Sequence, residues 1–121
     1  MRYNALTPEE ERIIARKATE PPFSGQYDNF YKEGTYLCRR CNAHLFSSKS
    51  KFDAGCGWPA FDDSFPYAIK RVPDPVGIRT EIECAKCGAH LGHGFVGENL
   101  TAKNTRECVN ALSIRFISTK T

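Results

Sequence analysis

Two stretches of the sequence echo each other: CRRCNAHLF, starting at Cys38, and CAKCGAHLG, starting at Cys84. Each puts two cysteines on one tight turn, and two such turns supply the four thiolates of a tetrahedral site, with zinc–sulfur distances of about 2.3 Å. Any fold of this chain must therefore bring Cys38, Cys41, Cys84 and Cys87 together. The interval between the two turns is longer than in a simple zinc ribbon, so an intervening sheet, rather than a short hairpin, is expected to join them. Asn42 and Gly88, each just after a second cysteine, suit the left-handed backbone that turns amides toward sulfur. A structural Zn²⁺ there would contribute on the order of 10 kcal/mol to folding. The competing reading, a thioredoxin-like redox CxxC, calls for a strand-to-helix turn in a βαβ unit, and the sequence shows none.

The rest of the composition narrows the setting. A chain of 121 residues with 40% hydrophobic content can bury one modest core, so a single domain over 1–121 is expected. The net charge of +3 is spread over 17 basic and 14 acidic residues. Basic pairs such as Arg39–Arg40 and Lys70–Arg71 form no stripe with interleaved aromatics, so no nucleic-acid partner is expected. The opening MRYNALTPEEERII is acidic where an export signal needs an apolar run, and no apolar stretch approaches the roughly 18 to 20 residues of a membrane span. The expectation is a soluble, cytoplasmic monomer without a membrane partner. In that reducing setting six cysteines point to metal binding or redox catalysis before structural disulfides.

Thr7-Pro8-Glu9-Glu10 reads as a helix start, with a hydroxyl cap, proline at the first position and glutamate three residues after the cap. The predicted helix, about 7–18, carries Ile13, Ile14 and Lys17 and stops before Glu20-Pro21-Pro22. A β-rich catalytic core follows over about 34–118, with predicted strands at Thr35–Cys38, Ala68–Val72, Ile78–Cys84 and Ser113–Ile117. Ile78, Thr80, Ile82 and Cys84 share one face at a period of two, with Arg79, Glu81 and Glu83 opposite, as in a half-buried antiparallel strand. The predicted class is mainly β: a small antiparallel sheet of barrel or tent form, holding zinc, with an N-terminal helix.

Four ligands removed, Cys56 in AGCGWPAF and Cys108 in TRECVN remain. They are either buried core thiols or a reactive site. Cys56 lies between two glycines and ahead of the rigid apolar Trp58-Pro59, while Arg106 near Cys108 would favour a thiolate. His90 and His93, in HLGHGF after the second cysteine turn, are available for acid–base chemistry near neutral pH. His44 has no partner histidine and reads as a surface or packing residue.

The motifs TEPPFSG, CRRCNAHLF, KFDAGCGWPAF, CAKCGAHLGHGF and TRECVN, in this order between Thr19 and Asn110, resemble the B-type methionine sulfoxide reductases, a zinc-containing selenoprotein-R-like family, and the resemblance covers nearly the whole chain from Leu6 to Ile117. The resemblance implies reduction of the R epimer of methionine sulfoxide, protein-bound or free, as a repair of oxidised proteins. It implies Cys108 as the nucleophile that becomes a sulfenic acid, Cys56 as the resolving cysteine that closes a disulfide on it, and thioredoxin as the reductant. It further implies His93 as proton donor, His90 and Asn110 as orienting groups, Arg106 as support for the thiolate, and Trp58, Phe95 and Phe23 as the apolar wall for the substrate methyl. Outside this family the alternatives are a non-catalytic zinc-ribbon binding module or a reductase fold acting on another sulfoxide. Two departures stand out. Glu107 replaces a usual tyrosine, and strand alternation turns it away from the sulfur. Gly-Phe-Val-Gly-Glu-Asn replaces Val-Phe-x-Asp-Gly-Pro, so the acidic contact is lost at Gly97 or moved to Glu98.

Overall fold

The computed structural model describes residues 3–21, 27, 30–73 and 79–119. One helix, α1 (Pro8–Ile14), precedes nine strands: β1 (Gly34–Cys38), β2 (His44–Ser47), β3 (Lys51–Phe52), β4 (Ala60–Phe61), β5 (Ile69–Pro73), β6 (Thr80–Cys84), β7 (His90–Val96), β8 (Thr105–Val109) and β9 (Ile114–Ser118). The class is mainly β, as the sequence implies. The strands form two antiparallel sheets rather than one, a three-stranded sheet ordered β2-β1-β9 and a six-stranded sheet ordered β3-β4-β8-β7-β6-β5.

The capping box at Thr7 forms: its hydroxyl accepts from Glu10 N at 3.2 Å, and Glu10 Oε1 accepts from Thr7 N at 2.9 Å. The helix is shorter than its sequence suggests. Lys17 adopts a left-handed φ of 60°, and the Ala18 amide folds back to the Arg12 carbonyl at 3.2 Å. That reversal frees the Lys17 side chain to reach β6. Ile13 and Ile14 are fully buried, where the helix packs against β7 and the turn at Ala111–Ser113.

Aromatic rings fill the space between the sheets. Tyr36 of β1 meets Phe61 of β4 edge-on at 5.0 Å, and Phe46 of β2 stacks on Phe61 at 4.3 Å. Such pairs add about 0.5–1.5 kcal/mol each beyond the area they bury. The β1, β5, β6 and β9 strands fall within a residue or two of their predicted places, with Ile78 outside the described residues. β7 and β8, which hold His90, His93, Arg106 and Cys108, are the ones the pattern hides. β7 reads HLGHGFV, and its glycines depress strand propensity; at Gly94 a β-carbon would collide with the Glu107 carboxylate and the Arg71 guanidinium. Glycine is there because another side chain crosses over it. Glu81, expected on the exposed face of β6, is instead buried, because Lys17 and His90 close over it.

Candidate active site and metal centre

The two cysteine turns fold alike. In each, the first cysteine's amide binds the carbonyl five residues on, Cys38 to Ala43 at 2.8 Å and Cys84 to Ala89 at 2.9 Å. The residue after the second cysteine returns a bond to the first carbonyl, from Asn42 and from Gly88, each at 2.8 Å. Asn42 and Gly88 take φ of 67° and 79°, as their chemistry predicts. Cys38 ends β1 in one sheet and Cys84 ends β6 in the other. The strands between the two turns, β2 to β6, belong to both sheets, and the four sulfurs gather at the ends of β1 and β6.

All four sulfurs lie within 4.8 Å of one another, with Cys38–Cys87 and Cys41–Cys84 each at 3.6 Å. A tetrahedron with bonds of 2.3 Å has edges of about 3.8 Å, so the donor set fits a single zinc-sized ion. Its charge argues the same way. Burial pushes Cys41 up to about 11, and the hydrogen bond with Cys84, reinforced by burial, pushes Cys38 up. The bond with Cys38 draws Cys84 down to about 5, and four thiolates this close would repel one another without a cation among them.

A second sulfur pair lies elsewhere. Cys108 lies next to the end of β8, directly opposite Ala60 of β4 on one side and His93 of β7 on the other. Opposite residues in an antiparallel pair share a face. By the same register Arg106 stands opposite Phe95 and Glu107 opposite Gly94, so residues 106 and 108 look one way and 107 the other. On the first face a pocket is lined by Trp58, His93, Phe95, Arg106, Cys108, Asn110, Gly92, Thr19 and Arg79.

Cys56 approaches from the loop between β3 and β4. Gly55 and Gly57, at φ of 69° and 87°, bend the chain so sharply that its Sγ comes within 2.9 Å of Cys108 Sγ, against about 2.05 Å in a disulfide. Arg106 Nη1 donates to Cys108 Sγ at 3.0 Å, while its Nε and Nη2 bind Glu98 at 2.7 and 2.9 Å. The guanidinium also lies 4.0 Å over the Phe95 ring. The acidic contact is therefore moved to Glu98, and the arginine is gripped on three sides. Within the sulfur pair, the hydrogen bond from Cys108 draws Cys56 down to about 6, against burial and with help from Arg106. The same bond, burial and the neighbouring charge push Cys108 up, with Arg106 acting the other way. The pair thus loses one proton easily and holds the second, a property of the two sulfurs jointly.

The frame around this pair was only partly visible in the sequence. Glu20 is the piece that sequence reasoning missed, having served there only to mark a helix end. Its carbonyl accepts from Trp58 Nε1 at 2.9 Å, its amide donates to Asn110 Oδ1 at 3.0 Å, and its carboxylate receives the amides of Ala111 and Leu112. One buried residue thereby sets both the indole wall and the pocket floor. Asn110 Nδ2 in turn donates to Leu91 O at 3.1 Å, so both ends of its amide hold backbone. His90 is buried behind the pocket, with Nδ1 at 2.9 Å from Glu81. His44, at the matching place in the first turn, is exposed. Phe23 lies outside the described residues. Glu107 is buried, its two carboxylate oxygens held by Arg71 at 3.0 and 2.8 Å.

The profile of the SelR domain matches residues 6–118. The chain is 53% identical over 112 residues to peptide methionine sulfoxide reductase B5 of Oryza sativa subsp. japonica, covering 92% of this chain and 82% of that one. It is 54% identical to peptide methionine sulfoxide reductase B3 of Arabidopsis thaliana, covering 92% of this chain and 64% of the relative. Against the chloroplastic B3 protein of Oryza sativa subsp. japonica it is 52% identical and spans about half of the relative, 49%. Among solved structures, the Mis18 'Yippee-like' domain superposes with a TM-score of 0.57 at 10% identity, covering 74% of this chain and 100% of that domain, a likeness of fold alone.

Proposed function

The chain belongs to the SelR domain family, and we propose that it reduces the R epimer of methionine sulfoxide to methionine, in proteins and as the free amino acid. The observation that carries the assignment of roles is that Cys108 lines the pocket while Cys56 Sγ lies 2.9 Å from Cys108 Sγ. The Cys108 thiolate attacks the sulfoxide sulfur, and the oxygen accepts a proton, for which His93 in the pocket wall is the donor. The sulfur–oxygen bond then breaks: the oxygen passes to Cys108 as a sulfenic acid, the substrate sulfur regains its lone pair, and methionine leaves. Cys56 attacks the sulfenic acid, a disulfide forms and water departs. A dithiol reductant, which we take to be thioredoxin, restores both thiols.

The remaining side chains hold this geometry. Arg106 stabilises negative charge on Cys108, and Glu98 with Phe95 prevents the guanidinium from swinging away. Trp58 and Phe95 give the methyl group an apolar wall, and Phe23 would extend it. Asn110 acts by fixing the floor through Glu20 and Leu91, and His90 by its contact with His93. Zinc on Cys38, Cys41, Cys84 and Cys87 would clamp the two sheets without entering the reaction. No helix among the described residues is long and apolar enough to cross a membrane. A cytoplasmic monomer repairing oxidised proteins is the setting we propose, although two of the relatives are named chloroplastic.

The test is turnover of each epimer by the purified protein with dithiothreitol or thioredoxin. Selective loss of the R epimer is expected, with no turnover by Cys108→Ser and a Cys56–Cys108 disulfide after one cycle without reductant. Selective loss of the S epimer, or an active Cys108→Ser, would reverse the assignment.

A further inference from the structure

Glu81 takes no part in the proposed thiol chemistry, yet it is buried near the start of β6. Its Oε2 lies 2.9 Å from His90 Nδ1, and its Oε1 accepts from Lys17 Nζ at 3.1 Å. Lys17 also stands 3.6 Å from Glu83, so it clamps the carboxylate from the solvent side. Burial works to raise the Glu81 carboxyl, but the hydrogen bonds from His90 and Lys17 outweigh it and hold the group below its ordinary value. An ionised carboxylate only accepts, so His90 Nδ1 carries a proton, and in the neutral ring Nε2 is then a bare acceptor. That Nε2 is buried, with no hydrogen-bond partner among the described residues. The ring stands edge-on to His93, centroids 5.7 Å apart at 72°, and His93 is the cross-strand neighbour of Cys108.

We infer that Glu81 is a positioning residue of the reductase: it locks His90 in the Nδ1-protonated tautomer and so fixes the ring that packs edge-on with His93, the proton donor of the proposed reaction. In the opposite tautomer two lone pairs would face each other at the Glu81 contact, and the buried Nε2 would carry an N–H without an acceptor among the described residues. The buried acceptor biases the orientation and proton position of its neighbour, as a carboxylate behind a histidine commonly does. The inference rests on the reading of His93 as donor to the sulfoxide oxygen.

The experiment pairs nitrogen-15 histidine spectroscopy of the metal-replete protein with steady-state rates on the R epimer, for wild type, Glu81→Gln and Glu81→Asp. In wild type, His90 is expected as the Nδ1–H tautomer. Glu81→Gln, whose amide can donate to Nδ1, should move His90 toward Nε2–H and lower kcat about 10- to 100-fold while KM changes less than about 2-fold. The Asp variant recovers rate to the extent that it recovers the tautomer. A wild-type His90 protonated at Nε2 overturns the inference, as does an unchanged kcat in a variant whose tautomer has flipped, or a rate that follows melting temperature instead of tautomer. If Glu81→Gln fails to fold, wild type and Glu81→Asp decide the matter by the same criteria. A wild-type protein inactive on both epimers would sink the proposed reaction and leave the tautomer measurement standing, so the two failures are distinguishable.

Discussion

Four of the six cysteines and the remaining two differ in what surrounds them, not in the sulfur. The four sit on turns at the ends of strands from two sheets, their closest partners 3.6 Å apart, a spacing matched to the edges of a metal tetrahedron. The two meet at 2.9 Å in the middle of one sheet, with an arginine on one sulfur and a pocket in front. A cation that binds all four thiolates makes them ligands and blunts them. A guanidinium that touches one thiolate leaves its lone pairs open to a substrate.

The largest expected effect separates the groups by stability. Cys84→Ser, or a strong chelator at neutral pH, removes a site that contributes on the order of 10 kcal/mol, so the two sheets should come apart. Metal analysis and thermal melting check this; a chelated, metal-free chain with an unchanged melting temperature would make the cluster dispensable. Next, Cys108→Ser should lower reductase activity by about 10⁴-fold or more with folding and bound metal retained. If that variant also released metal, the two groups would not be independent.

Much of the metal group was legible because its signal is local: two CxxC turns with a left-handed residue after each require nothing from the rest of the chain. The helix cap and the alternating β6 and β9 are local in the same sense. The Cys56–Cys108 pair became legible only through the resemblance, since nothing in the chain near Cys56 specifies that Gly55 and Gly57 will aim it at β8. Glu20 was hidden for a related reason: it bonds to Trp58, Asn110, Ala111 and Leu112, all distant in sequence. The echo of the two turns even misleads, because His44 and His90 occupy matching places and only one is buried. What differs is the neighbour, Glu81 with Lys17 above it, supplied by other elements.

Glu107 probes whether the sulfur pair is insulated from charge next door in sequence. It lies on the opposite face of β8, over Gly94 and paired to Arg71. Its side chain is 1% exposed while that of Arg71 is 44% exposed, so the two truncations should differ. Arg71→Ala strands a buried carboxylate and should cost about 3 kcal/mol or more, whereas in Glu107→Ala the arginine can turn to water and the loss is smaller. Burial raises the Glu107 carboxyl, with Arg71 opposing. Without Arg71 it rises further, so protons bind the native form preferentially and the Arg71→Ala defect should shrink as pH falls. Urea titrations at several pH values test this, and equal losses for both variants would refute the buried-charge account.

The smallest effect concerns the shared proton. Below the joint ionisation both thiols are protonated and no nucleophile exists, so kcat/KM of wild type should rise with pH through about 6, where Cys56 is drawn down by its bond with Cys108. In Cys56→Ser, assayed with dithiothreitol so that no resolving thiol is needed, Cys108 must ionise with a serine hydroxyl in place of the sharing thiol. Arg106 still lowers it and burial still raises it. A hydroxyl stabilises a neighbouring thiolate less than a thiol that shares its proton, so the acid limb should move up by about one pH unit, roughly 1.4 kcal/mol. A limb that stays in place would mean that the negative charge belongs to Cys108 and Arg106 alone. The contrast between ligand and nucleophile would then rest on the arginine without help from the second sulfur.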